Sequence, residues 1–338
     1  MTNKILHVFD NETNDYIPVL YVDNGDGTYS PSSRLISGQE EGEISRVTLG
    51  GELVSVTLNN EYPQVLFVDP NGIPYGIKHI NNKPRVSSMP YLYDIAEGNI
   101  PGHVEFEMFG YNPDIDISVE DIWGAGGSYI FPVTPQQMEL VSTSVEDDPD
   151  KGSSVAGTGI HSITIYYLDN LYEAKTEDVQ LNGTNEVTTI ATNIFRINKL
   201  KAKVVGSSGG AVGTISIRNL TNSPIYSTID PTNTRSRNSI YTVPLGKTLY
   251  VTSLAGGCGA ASASTATIIL NATYDHDAQA LTTFFFPHAE VIVGSGTGGI
   301  IRPFEIPLRF PEKTNLKCRA TTTANNSIVS VGVRGWME

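Results

Sequence analysis

Turn chemistry recurs about every 8–15 residues along this chain, and the segments between are short and alternate in polarity. That spacing leaves no room for a helical stripe of more than two or three turns, and it predicts strands. Tyr16–Val22 and Thr28–Ser30 flank Asp23-Asn24-Gly25-Asp26-Gly27, whose residues tolerate the positive φ of a tight hairpin. The oxygen-rich run fits no EF-hand loop, because no Glu stands at the twelfth position. Further strands are expected at 44–49, 52–58, 64–68 and 75–80, with turns at Gly50-Gly51 and Asn71-Gly72. In the second half, Ile163, Ile165 and Tyr167 share one strand face. The segment 187–205 changes phase near Asn198, which predicts a bulge or turn there. Phe304, Ile306, Leu308 and Phe310 alternate beside Pro303, Pro307 and Pro311, which marks an edge strand. Val329, Val331 and Val333 form another alternating run. The only helix candidates, 134–141 and 277–286, are short.

Composition narrows the function classes. Of 338 residues, 39% are hydrophobic and 17% charged, a balance unlike coiled coils or disordered tails. No apolar run reaches the 18 or so residues of a membrane helix, and Ile5–Phe9 is too short for a signal-peptide core. A chain made in the cytoplasm without membrane insertion is therefore expected. Residues 1–150 carry 6 Lys and Arg against 24 Asp and Glu, whereas residues 151–338 carry 16 against 12. An acidic half beside a near-neutral one argues for two different surroundings and against a nucleic-acid partner, which needs a basic stripe. Cys258, in a Gly/Ala-rich turn region, and Cys318, in a strand, are too few for a disulfide scaffold or zinc site.

Several motifs imitate catalysis. Gly294–Gly299 satisfies a dinucleotide fingerprint, but Ile300-Ile301-Arg302-Pro303 follows where the pyrophosphate needs a helix. Gly206–Gly210 holds Ser208 in a nucleophile-elbow pattern, but the alternating segment behind it predicts a hairpin tip. The six histidines are scattered, and Asp275-His276-Asp277 reads as a solvated loop. The acids Asp114, Asp116, Glu120 and Asp121 would serve as a glycosidase pair only across a sugar-sized cleft, and aromatic sugar platforms reduce to Trp123 and Trp336. No catalytic, cofactor-binding or metal residue is expected, and no enzyme.

Three groups of residues carry a likeness. They are Tyr91–His103 with Phe109–Asp116 and Glu120–Gly124; Leu181–Thr184 with Tyr241–Thr248; and Arg302–Thr314 with Gly335-Trp336. Over about 91–338 the chain resembles a family of tailed-bacteriophage virion structural proteins, accessory to head, neck, tail or fibre. The resemblance implies a non-enzymatic virion component whose partners are other virion proteins. A carbohydrate-binding receptor module of the virion, meeting a host surface glycan, is the alternative, and a glycan hydrolase ranks third.

The expected fold is all-β: an N-terminal β region over 1–90, an acidic connector over 91–127, and a jelly-roll-like β-sandwich over 128–338. Symmetric virion positions imply a homo-oligomer, with a trimer expected. Arg196, Lys199, Lys201 and Lys203 form the densest basic run and are expected to meet the connector's acids across subunits.

Overall fold

The computed structural model describes residues 92–151, 155–259, 263–273 and 285–338 in full, and before them the backbone of nine strands and of Tyr91. The protein is nearly all β. Contacts divide it into two compact units, Met1–Tyr91 and Leu92–Glu338.

The first unit is built from neighbours in sequence. β1 (Lys4–Asp10), β2 (Asp15–Asp23) and β3 (Tyr29–Pro31) pair in that order, antiparallel. β4 (Ile44–Leu49), β5 (Glu52–Asn59), β6 (Tyr62–Val68) and β7 (Pro74–Gly76) form a second meander, and β8 (His79–Ile80) pairs with β9 (Lys83–Pro84). The turns expected at Asn24–Gly27, Gly50-Gly51 and Asn71-Gly72 lie outside the described residues.

The second unit opens with α1 (Tyr91–Ala96), a helix that the periodicity did not announce. Then follow β10 (Val104–Ile115), β11 (Glu120–Asp121), β12 (Met138–Ser142), β13 (Ile160–Asp169), β14 (Ala174–Gln180) and β15 (Val187–Thr188). Next come β16 (Ile194–Val205), β17 (Ile215–Asn219), β18 (Ile225–Ile229), β19 (Ile240–Thr242) and β20 (Leu249–Gly259). β21 (Thr265–Thr273), β22 (Phe286–Gly294), β23 (Ile300–Phe310), β24 (Asn315–Thr322) and β25 (Ser327–Met337) complete it. Among the described residues no helix is long and apolar enough to cross a membrane.

Strand order gives the architecture. One sheet runs β10-β25-β20-β23, and the facing sheet runs β24-β21-β22 with β11 and β19 both on the free side of β24. β11 pairs with Arg319 and Ala320, and β19 pairs with Asn315, Leu316 and Lys317, so the two are halves of one edge strand. Counted so, eight strands alternate between two sheets: first, eighth, third and sixth in one, second, seventh, fourth and fifth in the other. This is a jelly roll. Its core draws on both sheets, from Phe106 and Met108 through Leu254, Ile268, Leu270 and Val291 to Val329, Val331 and Val333. Each such side chain, fully buried, stabilises by about 1.5–3 kcal/mol.

Between the halves of the split strand the chain builds a second sandwich. Sheets β15-β12-β17-β18 and β14-β13-β16 close over their own core, which includes Met138, Leu140, Ile163, Ile165, Leu200 and Ile217.

Several expectations are thereby corrected. Residues 128–338 hold one sandwich inserted into another. The stretch 91–127 includes β10, the jelly roll's first strand, hydrogen-bonded along β25, because Phe106, Met108 and Ile115 are apolar and buried behind its acids. Residues 134–141 lead into β12 and form no helix, since Met138 and Leu140 both fill a sheet core. Gly206–Gly210 is no hairpin tip but part of a crossover, because β16 and β17 belong to opposite sheets. Cys258 lies within β20, and Cys318 lies buried in β24. The 277–286 helix candidate falls outside the described residues except at Phe285 and Phe286, where β22 begins.

Other expectations hold. Tyr166 faces Lys199 while Tyr167 faces Ile197, so Asn198 is the extra residue of a β-bulge. β23 is an edge strand, paired among the described residues only with β20, and its residues 304–307 bulge out opposite Thr252. Gly335 sits where β25 crosses that irregularity: a Cβ there would collide with the Tyr250 carbonyl oxygen, so only glycine fits.

Candidate functional site

Where the two sandwiches meet, the bulge on β16 does the joining. Asn198 Nδ2 donates to the Thr242 carbonyl at 2.9 Å, and Asn198 Oδ1 accepts from the Thr242 amide at 2.9 Å, as a strand neighbour would. Two residues earlier, Arg196 is only 1% exposed. Its Nη1 donates to the carbonyls of Pro132 (2.8 Å) and Phe195 (2.9 Å), and its Nε donates to Asn315 Oδ1 (3.2 Å). The guanidinium lies 3.8 Å from the Phe195 ring centre, with Phe131 and Tyr172 beyond. Buried Asp121 accepts from Lys317 Nζ at 2.9 Å and from the Tyr129 amide at 2.6 Å. Burial lowers the Lys317 pKa despite that carboxylate. The joint is thus a buried polar network in which side chains of one sandwich bond to backbone and side chains of the other.

Beside this joint a cleft of about 140 Å³ opens between β10, β16 and the 235–241 segment. Phe106, Phe109 and Tyr241 give it aromatic walls; the Phe106 and Tyr241 rings meet edge to face at 4.8 Å. Glu107, from the jelly roll, approaches Arg235 of the insertion at 3.6 Å and Arg334 of β25 at 3.8 Å. Lys199 lines the cleft half-buried, and among the described residues no carboxylate lies within ion-pair distance of it. Desolvation lowers its pKa, with Arg235 and Lys201 adding repulsion and Glu107 opposing them. Asn238, 9% exposed, also lines the cleft; its Nδ2 donates to Ser227 Oγ at 2.7 Å, and its Oδ1 has no hydrogen-bond partner.

The basic run noted in the sequence is therefore divided. Arg196 is inside the joint, Lys199 is in the cleft, and Lys203 binds Asp178 on the same sheet. The acids expected to meet it have local partners: Asp121 holds Lys317, Asp116 caps the Asn326 amide, and Glu120 accepts from the Asp116 and Gly127 amides. The glycine-rich Gly294–Gly299 links β22 to β23 and opens no helix. Ser208 Oγ donates to the Gly210 carbonyl. Trp336 stacks on Tyr250 at 5.1 Å, and Trp123 belongs to an aromatic cluster with Tyr129 and Phe131. His161 Nε2 donates to the Gly157 carbonyl, and His103 contacts Glu338. Asp275-His276-Asp277 lies outside the described residues.

A second surface stands out on the jelly roll's flank. β22 and β23 are the terminal strands of the two facing sheets, and both expose large apolar side chains: Phe286 and Ile292 on one, Ile300, Ile301 and Ile306 on the other. Ile306 is 83% exposed and Ile301 69%. Compared with known proteins, the chain matches no family model and no curated protein.

Proposed function

We propose that this chain is a structural component of a tailed-phage virion, acting by assembly with copies of itself and with other virion proteins. The observation that carries the reading is the exposed apolar flank on β22 and β23. Sheet edges normally carry charge or are covered. Here Pro303 and Pro307 remove two backbone donors, which discourages strand addition, yet aliphatic side chains stay bare. Such a flank suits side-chain burial against a neighbour, not pairing of backbones. The resemblance supports the same reading. The stretches Phe109–Asp116, Glu120–Gly124, Tyr241–Thr248, Arg302–Thr314 and Gly335-Trp336 all belong to the jelly-roll frame, and only Leu181–Thr184 belongs to the insertion.

Two measurements test the reading. Gradient-purified particles of the encoding virus should contain the chain, and a particle without it ends the virion assignment. Light scattering of the isolated protein at micromolar concentration should give a homo-oligomer, with a trimer expected. Ile301→Asp with Ile306→Asp should convert it to a monomer without changing its thermal unfolding. An unchanged oligomer in that variant removes the flank from the proposal.

A further inference from the structure

Two buried aspartates are held in different ways. Asp147 receives two donors at each oxygen, as a carboxylate kept out of water requires. Asp121, 1% exposed, receives the Tyr129 amide and Lys317 Nζ at Oδ2, while its Oδ1 has no hydrogen bond among the described residues. Arg319 Nε stands 3.6 Å from that bare oxygen. Lys317 is itself 7% exposed, and the Phe285 ring centre lies 4.6 Å from its Nζ. Taking both charges of such a pair out of water is costly, whereas an amide made from the same two side chains buries no charge. Burial also lowers the Lys317 pKa, which favours the neutral, nucleophilic amine.

We propose that Lys317 and Asp121 condense into an intramolecular isopeptide bond, a covalent staple between β24 and β11. The ammonium proton passes along the 2.9 Å hydrogen bond to Asp121 Oδ2, leaving an amine and a carboxylic acid. The nitrogen lone pair attacks Asp121 Cγ and the Cγ–N bond forms, while negative charge gathers on Oδ1, the oxygen nearest Arg319. The Cγ–Oδ2 bond then breaks. Oδ2 leaves as water, carrying the proton it received and a second one from the nitrogen. Nothing is oxidised or reduced, and no further reactant is consumed. Between free molecules in neutral water this condensation is opposed by their separation and by the hydration of both ions. Here the fold enforces the contact and removes the hydration, and the Tyr129 amide, 2.6 Å from Oδ2, fixes the carboxyl group. The location gives the bond a use. Asp121 is the last residue of β11, where the chain departs into the insertion, and Lys317 pairs in register with Ile240 of β19, where it returns. The bond closes a covalent ring that holds the whole inserted sandwich, so β11 cannot peel away from β24. This inference goes beyond the assembly role and does not depend on it.

The test is the mass of the intact full chain, denatured after the folded protein has been incubated at neutral pH, together with peptide mapping. The chain should weigh one water molecule less than its sequence, and digestion should release one branched peptide joining the segments that carry Asp121 and Lys317. Lys317→Arg keeps a cation at that position but no nucleophilic amine, so it should show the full mass of its own sequence. The first measurement uses the wild-type chain, so a variant that fails to fold does not weaken it. Full mass in the wild type overturns the proposal and leaves an ordinary ion pair. A water deficit that persists in Lys317→Arg also overturns it, because the dehydration then lies elsewhere in the chain. A deficit of one ammonia in place of water, absent from Lys317→Arg, overturns Asp121 as the partner in favour of Asn271, the buried residue opposite Lys317 on β21.

Discussion

The inserted sandwich and the jelly roll that carries it are made of the same material, alternating strands around an aliphatic core, but they treat their edges differently. In the insertion, charge is paired across the sheets: Lys203 of the edge strand β16 binds Asp178 of the edge strand β14, and Arg218 of the inner strand β17 reaches Glu139 of β12 and Glu186 just before the edge strand β15. In the jelly roll, β23 is blunted by proline and bare of charge pairing at Ile300, Ile301 and Ile306. The first treatment makes a surface that remains in water, and the second leaves aliphatic side chains exposed among Arg302, Glu305 and Arg309, a surface that burial against a neighbour would favour. Under the proposed assembly role, the jelly roll's flank would meet neighbours while the charged edges of the insertion stay in water.

The largest effect should come from uncoupling them. Arg196→Met takes a donor from the buried Pro132 and Phe195 carbonyls in the joint, while Asn315 Oδ1 keeps the Thr242 hydroxyl. With each orphaned buried acceptor costing about 1–3 kcal/mol, the variant should lose about 3 kcal/mol or more. Denaturant unfolding should change from one transition to two, as the sandwiches melt separately. If one transition persists with the stability unchanged, the joint is not what unites them.

Somewhat less should follow from Asp147→Ala, and only inside the insertion. Asp147 is fully buried and accepts four hydrogen bonds: from Ser142 Oγ, and from the amides of Ile160, Val212 and Gly213 at 2.8–3.0 Å. It ties the loop after β12 to the crossover before β17. Its removal should cost about 2–3 kcal/mol, and hydrogen exchange should quicken at 143–160 and 206–214 while β20, β21 and β25 stay protected. Equal loss of protection in the jelly roll would mean the two regions do not respond separately.

Local chemistry was legible in the sequence, and long-range topology was not. The Asn198 bulge follows from a phase change that any one-residue slip imposes, and the edge position of β23 follows from prolines that cannot donate. The insertion left no such mark. Its two ends, Ile122 and Ser239, meet through a backbone hydrogen bond across more than a hundred residues, and no local pattern encodes that meeting. The acids of 91–127 point to a connector only while the period-2 run Phe106, Met108 behind them goes uncounted. Asp121 and Asp147 are buried because donors from distant segments, Lys317 for the one and the Val212 and Gly213 amides for the other, reach them. The cleft was invisible for the same reason: Glu107, Lys199 and Asn238 come from three stretches with nothing in common in sequence.

The smallest effect concerns acid, and it sharpens the contrast between edges. The Lys203 and Thr164 hydrogen bonds lower the Asp178 pKa, and hydrogen bonds from Lys151 and the Thr158 amide lower that of Glu146. Both groups belong to the insertion, Asp178 exposed and Glu146 partly so. A carboxylate whose folded pKa is depressed contributes stability above its unfolded value, about 4, and that contribution disappears as pH falls through the lower folded value. The Asp178→Asn, Glu146→Gln double variant should therefore be slightly less stable than the parent at pH 6, and the gap should close on acidification below about pH 4. Salt should shrink the same gap at pH 6, since exposed pairs are screened over roughly 10 Å at 0.1 M. Oligomer formation through β22 and β23 should ignore that salt, because apolar burial carries no charge to screen. A gap that is constant with pH and salt would mean these pairs hold nothing. An oligomer that dissociates in salt would mean that the jelly-roll flank, like the insertion, is an edge managed by charge.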